Sequence, residues 1–255
     1  MHILITGAAN GIGKALTQVF IENLKSENIS LTLVDIDEDE LNAWNDAPIS
    51  VQCLIQDLSL VDEVDSLLEL ATKDFGPVDL LINNAGVMDV KSMGSFEWAK
   101  AWKLLNIDLI TPLKLIHSVL PSMQKRRSGS IINISSMAGV VPLRGCSFYG
   151  AAKAGLAMAS ECLTMESSQN GIQILTVYPG PVRTKLERGA RQGFGESWIY
   201  DLLPSGETTV IAQRIFDAWE KGEPRMIYPS AYRWGFMLSG AARKLSNLLT
   251  PNPVS

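Results

Sequence analysis

The chain opens on a run, His2 to Thr6, that reads as a short strand and passes directly into Gly7-Ala8-Ala9-Asn10-Gly11-Ile12-Gly13. A helical pattern follows from about Gly11 to Lys25, with Ile12, Ala15, Leu16, Val19 and Phe20 on its apolar side. A strand that turns through glycines into a helix commits a chain to βα architecture. The glycines let backbone amides approach a pyrophosphate, and the helix N-terminus offers partial positive charge. The spacing is GxxxGxG, not the GxGxxG of the dinucleotide fingerprint. On its own such a loop is either a dinucleotide site or a tight structural turn.

The pattern repeats along the chain. Strands are expected at Ser30 to Val34, Val51 to Ile55, Val78 to Ile82, Ser130 to Ser135, Gln173 to Val177 and Arg225 to Tyr228. The fourth strand is almost wholly apolar, as a parallel strand covered on both faces must be. Helices are expected over Leu60 to Phe75, Phe96 to Arg127, the run beginning at Phe148, and Glu207 to Lys221. On the run that begins at Phe148, Tyr149 and Lys153 are four apart and share a face, while Ser136 falls at or just past the end of the preceding strand. A phenol with a pKa near 10 is a poor base unless its phenolate is stabilised. A nearby ammonium can lower it by about three units for roughly 4 kcal/mol of differential interaction. Ser136 could then hold a substrate oxygen beside the phenol. YxxxK is also common on ordinary helices, where the lysine is solvated and the tyrosine packs.

Four further motifs in fixed order decide between these readings. They are TGAANGIG at Thr6 to Gly13, NNAG at Asn83 to Gly86, Asn106 in the helix before the serine strand, and PGPVRT at Pro179 to Thr184. With Ser136, Tyr149 and Lys153 they span about the first three quarters of the chain, which resembles the short-chain dehydrogenase/reductases. The resemblance implies a single α/β domain: a Rossmann-like, doubly wound parallel sheet of about seven strands with helices on both faces. Its dinucleotide-binding part is about 1–135, its catalytic and substrate part about 136–230, and its amphipathic tail about 231–255.

The resemblance also implies roles. Tyr149 would exchange the hydroxyl proton, and Lys153 would lower the phenol pKa and hold the nicotinamide ribose. Ser136 would position the substrate oxygen. The Asn106 carbonyl would hold a water linked to Lys153, although the sequence alone suggests a capping or exposed asparagine. Cofactor contacts would come from Gly7, Asn10, Gly11, Ile12 and Gly13 at the pyrophosphate, and from Asp57 and Leu58 at the adenine. Asn83, Ala85 and Gly86 would line the cleft, with Asn83 the more structural. Pro179, Gly180 and Val182 would pass beside the nicotinamide, and Thr184 would hold its carboxamide.

Asp35, at the end of the second strand, can accept hydrogen bonds from both ribose hydroxyls and would repel a 2′-phosphate. Neither the glycine loop nor Ile36 to Glu40 supplies a cation, so NAD is expected over NADP. The activity implied is interconversion of a secondary alcohol and a ketone. Its rivals are an NADP-dependent carbonyl reductase and a non-catalytic NAD-sensing or scaffold protein, although every member of the catalytic set is present.

Composition narrows the partners. With 255 residues, 46% of them hydrophobic, the chain can bury one sizeable core. A net charge of −5 speaks against a nucleic-acid surface. Cys53, Cys146 and Cys162 suggest neither a disulfide framework nor a zinc site, and with only His2 and His117 a histidine-based metal site is not expected. The chain starts at a strand, without a signal-peptide pattern, which points to the cytoplasm.

The stretch Thr184 to Gly206, with Trp198 and Tyr200, lacks periodicity and reads as a substrate lid. In the tail, Trp234, Leu238, Ala241, Leu245 and Leu248 are spaced by three and four. The tail could cover an apolar substrate pocket, pack on a sister subunit or lie on a membrane surface, the first two being preferred. These features favour a hydrophobic alcohol or ketone as the small-molecule substrate. The family usually pairs through the helices at about Phe96 to Arg127 and Tyr149 to Ser168, so a homodimer or homotetramer is expected.

Overall fold

Seven parallel strands form one sheet, and their order explains where a ligand can sit. In the computed structural model, which describes residues 1–24, 29–167, 169–194, 204–238 and 240, the strands are β1 (His2–Thr6), β2 (Ser30–Asp35), β3 (Ser50–Ile55), β4 (Leu80–Asn83), β5 (Gly129–Ile134), β6 (Ile172–Pro179) and β7 (Arg225–Tyr228). They lie in the order β3-β2-β1-β4-β5-β6-β7, every pair parallel. The winding direction reverses between β1 and β4, and the crevice beyond the carboxyl ends of those strands is the expected ligand site of an open α/β sheet. The strand boundaries agree with those expected to within about two residues.

The helices cover both faces. They are α1 (Gly11–Leu24), α2 (Glu38–Asn42), α3 (Val64–Phe75), α4 (Trp98–Leu105), α5 (Thr111–Arg126), α6 (Ser147–Ser167), α7 (Lys185–Gly193), α8 (Thr208–Glu220) and α9 (Arg233–Met237). One core lies under α1 and α8, where Phe20 meets Phe216 edge-on at 5.1 Å. The other lies under α3 and α5, with Leu67, Leu115, Val119 and Met123 packed on Leu4, Leu81 and Ile131. Both cores are what near-continuous apolar strands require.

Three expectations are corrected. The helix expected over Phe96 to Arg127 is two helices joined by a π turn, Asn106–Ile110, closed by a hydrogen bond from the Thr111 amide to the Asn106 carbonyl. By length and composition the stretch Trp98–Arg126 could cross a membrane. In this fold it is broken in the middle and sends Leu104, Ile107, Leu115 and Met123 into the core. Thr184 to Gly206 is not wholly irregular, because α7 occupies its first part; Trp198 and Tyr200 lie outside the described residues. In the tail, α9 ends at Met237, with Trp234 and Leu238 exposed. Ala241, Leu245 and Leu248 also lie outside the described residues. His117 is exposed, whereas His2 is a core residue whose ring nitrogens meet the Gly76 carbonyl at 2.8 Å and the Thr32 hydroxyl at 2.9 Å.

A buried polar ladder fixes α6 against the sheet. Asn83 Nδ2 donates to Asn133 Oδ1 at 2.8 Å, Asn133 Nδ2 donates to Ser160 Oγ at 2.8 Å, and Ser135 Oγ donates to the Lys153 carbonyl at 2.8 Å. These bonds set the height of Tyr149 and Lys153 over β5. Asn133→Ala leaves the Asn83 amide and the Ser160 hydroxyl short of a partner in a fully buried layer. The expected loss is about 2 to 4 kcal/mol of unfolding free energy, read as a lower denaturant midpoint at unchanged slope.

Candidate active site

The glycine turn is built by close approach. Gly7 has φ +67°, and a Cβ there would lie 2.8 Å from the Ala85 Cα. Asn84 Nδ2 donates to the Thr6 and Gly7 carbonyls at 2.9 and 3.0 Å, locking the turn to the end of β4. Above it opens a cleft of about 670 Å³ bordered by Gly7, Asn10, Gly11, Ile12, Asp35, Asp57, Leu58, Ala85 and Gly86 on one side. Ser136, Tyr149, Lys153, Pro179, Gly180, Val182 and Thr184 border it on the other. The strand ends therefore bring together sixteen of the residues singled out from the sequence.

Gly13, Asn83 and Asn106 do not line this cleft. A Cβ on Gly13 would overlap the Gly7 carbonyl, so Gly13 shapes the turn from beneath. Asn83 belongs to the buried ladder. Asn106 donates its side-chain amide to the Ser59 carbonyl at 3.0 Å, and its own carbonyl accepts from Thr111 in the π turn. It is thus a structural joint: it caps the C-terminus of α4 and is half-buried, not exposed.

At the end of β5, Ser136 has its hydroxyl accepting from the Ala138 amide at 3.1 Å, and it lies near enough to the Tyr149 phenol to favour the phenolate. The ammonium of Lys153 lies 5.9 Å from the centre of the tyrosine ring and donates to the Ile134 carbonyl at 3.1 Å. Both side chains are buried. Burial pushes the phenol above its ordinary range and is the largest influence on it, whereas Lys153 and Ser136 pull it down. The lysine therefore opposes a desolvation cost that its charge alone does not overcome.

The end of the cleft beside β2 is polar. Asp35 accepts from the Ala9 amide at 2.9 Å through one oxygen, and from the Ile36 and Asp37 amides at 2.8 and 3.2 Å through the other. A carboxylate offers about four acceptor positions, so about one remains for a ribose hydroxyl where two had been expected. Asp57 is paired with Lys103 at 2.9 Å and accepts from the Ser59 amide. Thr184 caps α7 by accepting from the Glu187 amide at 3.1 Å.

Residues 1–195 match the profile of the short chain dehydrogenase family. The chain belongs to that family. An oxidoreductase of Staphylococcus saprophyticus is 30% identical over 81% of this chain and 93% of its own length. The ketoacyl reductase HetN of a Nostoc species is 31% identical over 71% of this chain and 63% of its own. Among solved structures, a short-chain dehydrogenase from Sphingobium yanoikuyae in complex with NADPH superposes with a TM-score of 0.80 at 27% identity, covering 96% and 95% of the two chains. This short-chain dehydrogenase is accordingly an NAD(P)-dependent oxidoreductase acting on CH–OH groups.

The sequence did not single out Asn84, Asp108 or the apolar end of the cleft. Asn84 could have been found as the second asparagine of the NNAG motif. Asp108 carried no signal, being one acid on an apparently continuous helix.

Proposed function

We propose that this dehydrogenase interconverts hydrophobic secondary alcohols and ketones with NAD, Tyr149 being the proton-exchanging group. The observation that carries this reading is the convergence of Ser136, Tyr149 and Lys153 at the carboxyl end of β5, beside the glycine turn. The residues suit a nicotinamide dinucleotide. Gly7, Asn10, Gly11 and Ile12 border the cleft at the N-terminus of α1, and Asp35 is held ready at the end of β2. Bound there, the cofactor supplies hydride exchange with the substrate carbon.

The protein supplies proton handling and orientation. Ser136 holds the substrate oxygen against the phenol, and Tyr149 gives or takes the proton on that oxygen. Lys153 partly offsets the burial that disfavours the phenolate and would hold the nicotinamide ribose. Asn106 acts at one remove, by fixing the break in the helix that faces Lys153. Met88, Met137, Val141, Leu143, Phe194 and Tyr232 form the wall beyond the reacting groups, which favours an apolar substituent on the carbinol carbon.

The choice of NAD rests on Asp35. Lys14 could favour NADP, as could the NADPH complex of the Sphingobium relative, but Lys14 is paired with Glu40 at 2.6 Å. Fluorescence titration is expected to give NADH at least about tenfold tighter than NADPH, with Asp35→Ala erasing most of that preference. Tighter NADPH binding by the unmodified protein would reverse the assignment. With the preferred cofactor, 1-phenylethanol should turn over at higher kcat/KM than 2-propanol. Equal values would remove the apolar-substrate reading.

A further inference from the structure

Asp108 is fully buried in the π turn, and its Oδ2 lies 3.1 Å from the Lys153 ammonium. Its Oδ1 accepts from the Val87 amide at 2.8 Å, which ties the carboxylate to the chain just after the NNAG motif. The pair is packed against Gly86, where a Cβ would lie 3.1 Å from Oδ2 and 3.2 Å from Nζ. Three segments therefore meet at this ion pair: the π turn, the loop after β4 and α6. None of the roles assigned so far uses the carboxylate.

We propose that Asp108 is a positioning residue for Lys153, the buried counter-ion that fixes the ammonium between the Ile134 carbonyl and the phenol and keeps it charged in the closed site. The proposal rests on the role given to Lys153 above. A carboxylate with no exposed surface sustains its charge only if paired, and the same holds for the ammonium. The π turn is what makes the pairing geometric, because one extra residue in the turn alters which side chains of this segment face α6.

Among the described residues, the titratable groups facing Lys153 are Asp108 from the π turn and Tyr149 from its own helix. Tyr149 in turn faces Asp108 and the Cys146 thiol. Burial alone would lower the lysine pKa, but Asp108 first and Tyr149 second reverse this and leave it above the ordinary range. Burial likewise pushes the Asp108 carboxyl up, against the pull of Lys153 and the Val87 amide. Cys146, raised by burial to about 12, stays uncharged through the working range. Asp108 also raises the phenol pKa, so a role as counter-ion and a role as a brake on Tyr149 make opposite forecasts.

The test is NADH binding by fluorescence from about pH 6 to about pH 9.5, a range in which an ordinary lysine stays charged, for the unmodified protein, Asp108→Asn and Lys153→Met. Affinity of the unmodified protein is expected to stay flat. Asp108→Asn should match it at the acid end and fall about tenfold toward the alkaline end, as an unpaired Lys153 loses its proton early. Lys153→Met should be weak throughout. If Asp108→Asn follows the unmodified protein at every pH while Lys153→Met is weak, Asp108 has no such role. If Lys153→Met binds and turns over 1-phenylethanol normally, the reading of Lys153 itself is lost.

A second measurement covers failure of Asp108→Asn to fold. Thermal unfolding of both single variants and of the Asp108→Asn/Lys153→Met pair should show the pair melting above each single, because it strands neither charge. A pair no more stable than the singles would overturn the proposal.

Discussion

Replacing Tyr149 by Phe is expected to lower kcat by about a thousandfold, roughly 4 kcal/mol of transition-state stabilisation, while NADH still binds. The change deletes one oxygen from a side chain that is 7% exposed and packed against Leu104, Cys146 and Ala152. The volume lost is small, so the fold and the cofactor end of the cleft should remain intact. The favourable influence of Ser136 on the phenolate goes with the oxygen, and so does the atom that would exchange a proton with the substrate. Initial rates with 1-phenylethanol, set beside a fluorescence titration of NADH, separate the two effects. Turnover within about tenfold of the unmodified enzyme, with NADH bound, would remove Tyr149 from the chemistry and the assignment of Ser136 and Lys153 with it.

What the sequence made legible follows from the backbone. The glycine turn, the NNAG motif and the Pro179-Gly180-Pro181-Val182 turn announce themselves because glycine, proline and asparagine occur where the chain must bend sharply or pass close to itself. The apolar strands were legible because a sheet covered on both faces tolerates few polar residues. Three things were hidden. The break at Asn106 involves no glycine, and the proline beside it, Pro112, sits in the first turn of α5 where proline is tolerated. Because that break was invisible, the facing of Asp108 was too, and the carboxylate closest to Lys153 could not be located by counting along a regular helix. The start of α7 was obscured by its polar composition; Thr184 marks it only once its hydroxyl is seen to cap the Glu187 amide. The resemblance to a family supplied Asn106 as a residue of interest through its backbone carbonyl; that its side chain holds the Ser59 carbonyl had no signal in the sequence.

Replacing Gly13 by Val should abolish both cofactor binding and the soluble fold. Gly13 lies in the first turn of α1, where its missing side chain lets the helix start directly beneath the turn. A Cβ there would overlap the Gly7 carbonyl, and Asn84 Nδ2 would stand 2.5 Å from it. Neither neighbour can give way cheaply. The Gly7 carbonyl is fixed by its hydrogen bond from Asn84, and Asn84 is fixed by the same turn. Helix α1 would have to lift away from β1, parting Leu16 and Phe20 from Ile5, Leu33 and Phe216 in a core that is closed to solvent. Separating such a layer costs more than about 4 kcal/mol, a large share of the stability of a domain this size. Gly94→Ala is the control, because that glycine is exposed with nothing within 4 Å of its Cβ position. Soluble yield, the thermal midpoint and NADH affinity should all collapse for Gly13→Val and stay unchanged for Gly94→Ala. If the valine variant folds and binds NADH normally, the turn is less constrained than its close contacts imply, and the cofactor would have to be held chiefly by Asp35 and the far wall of the cleft.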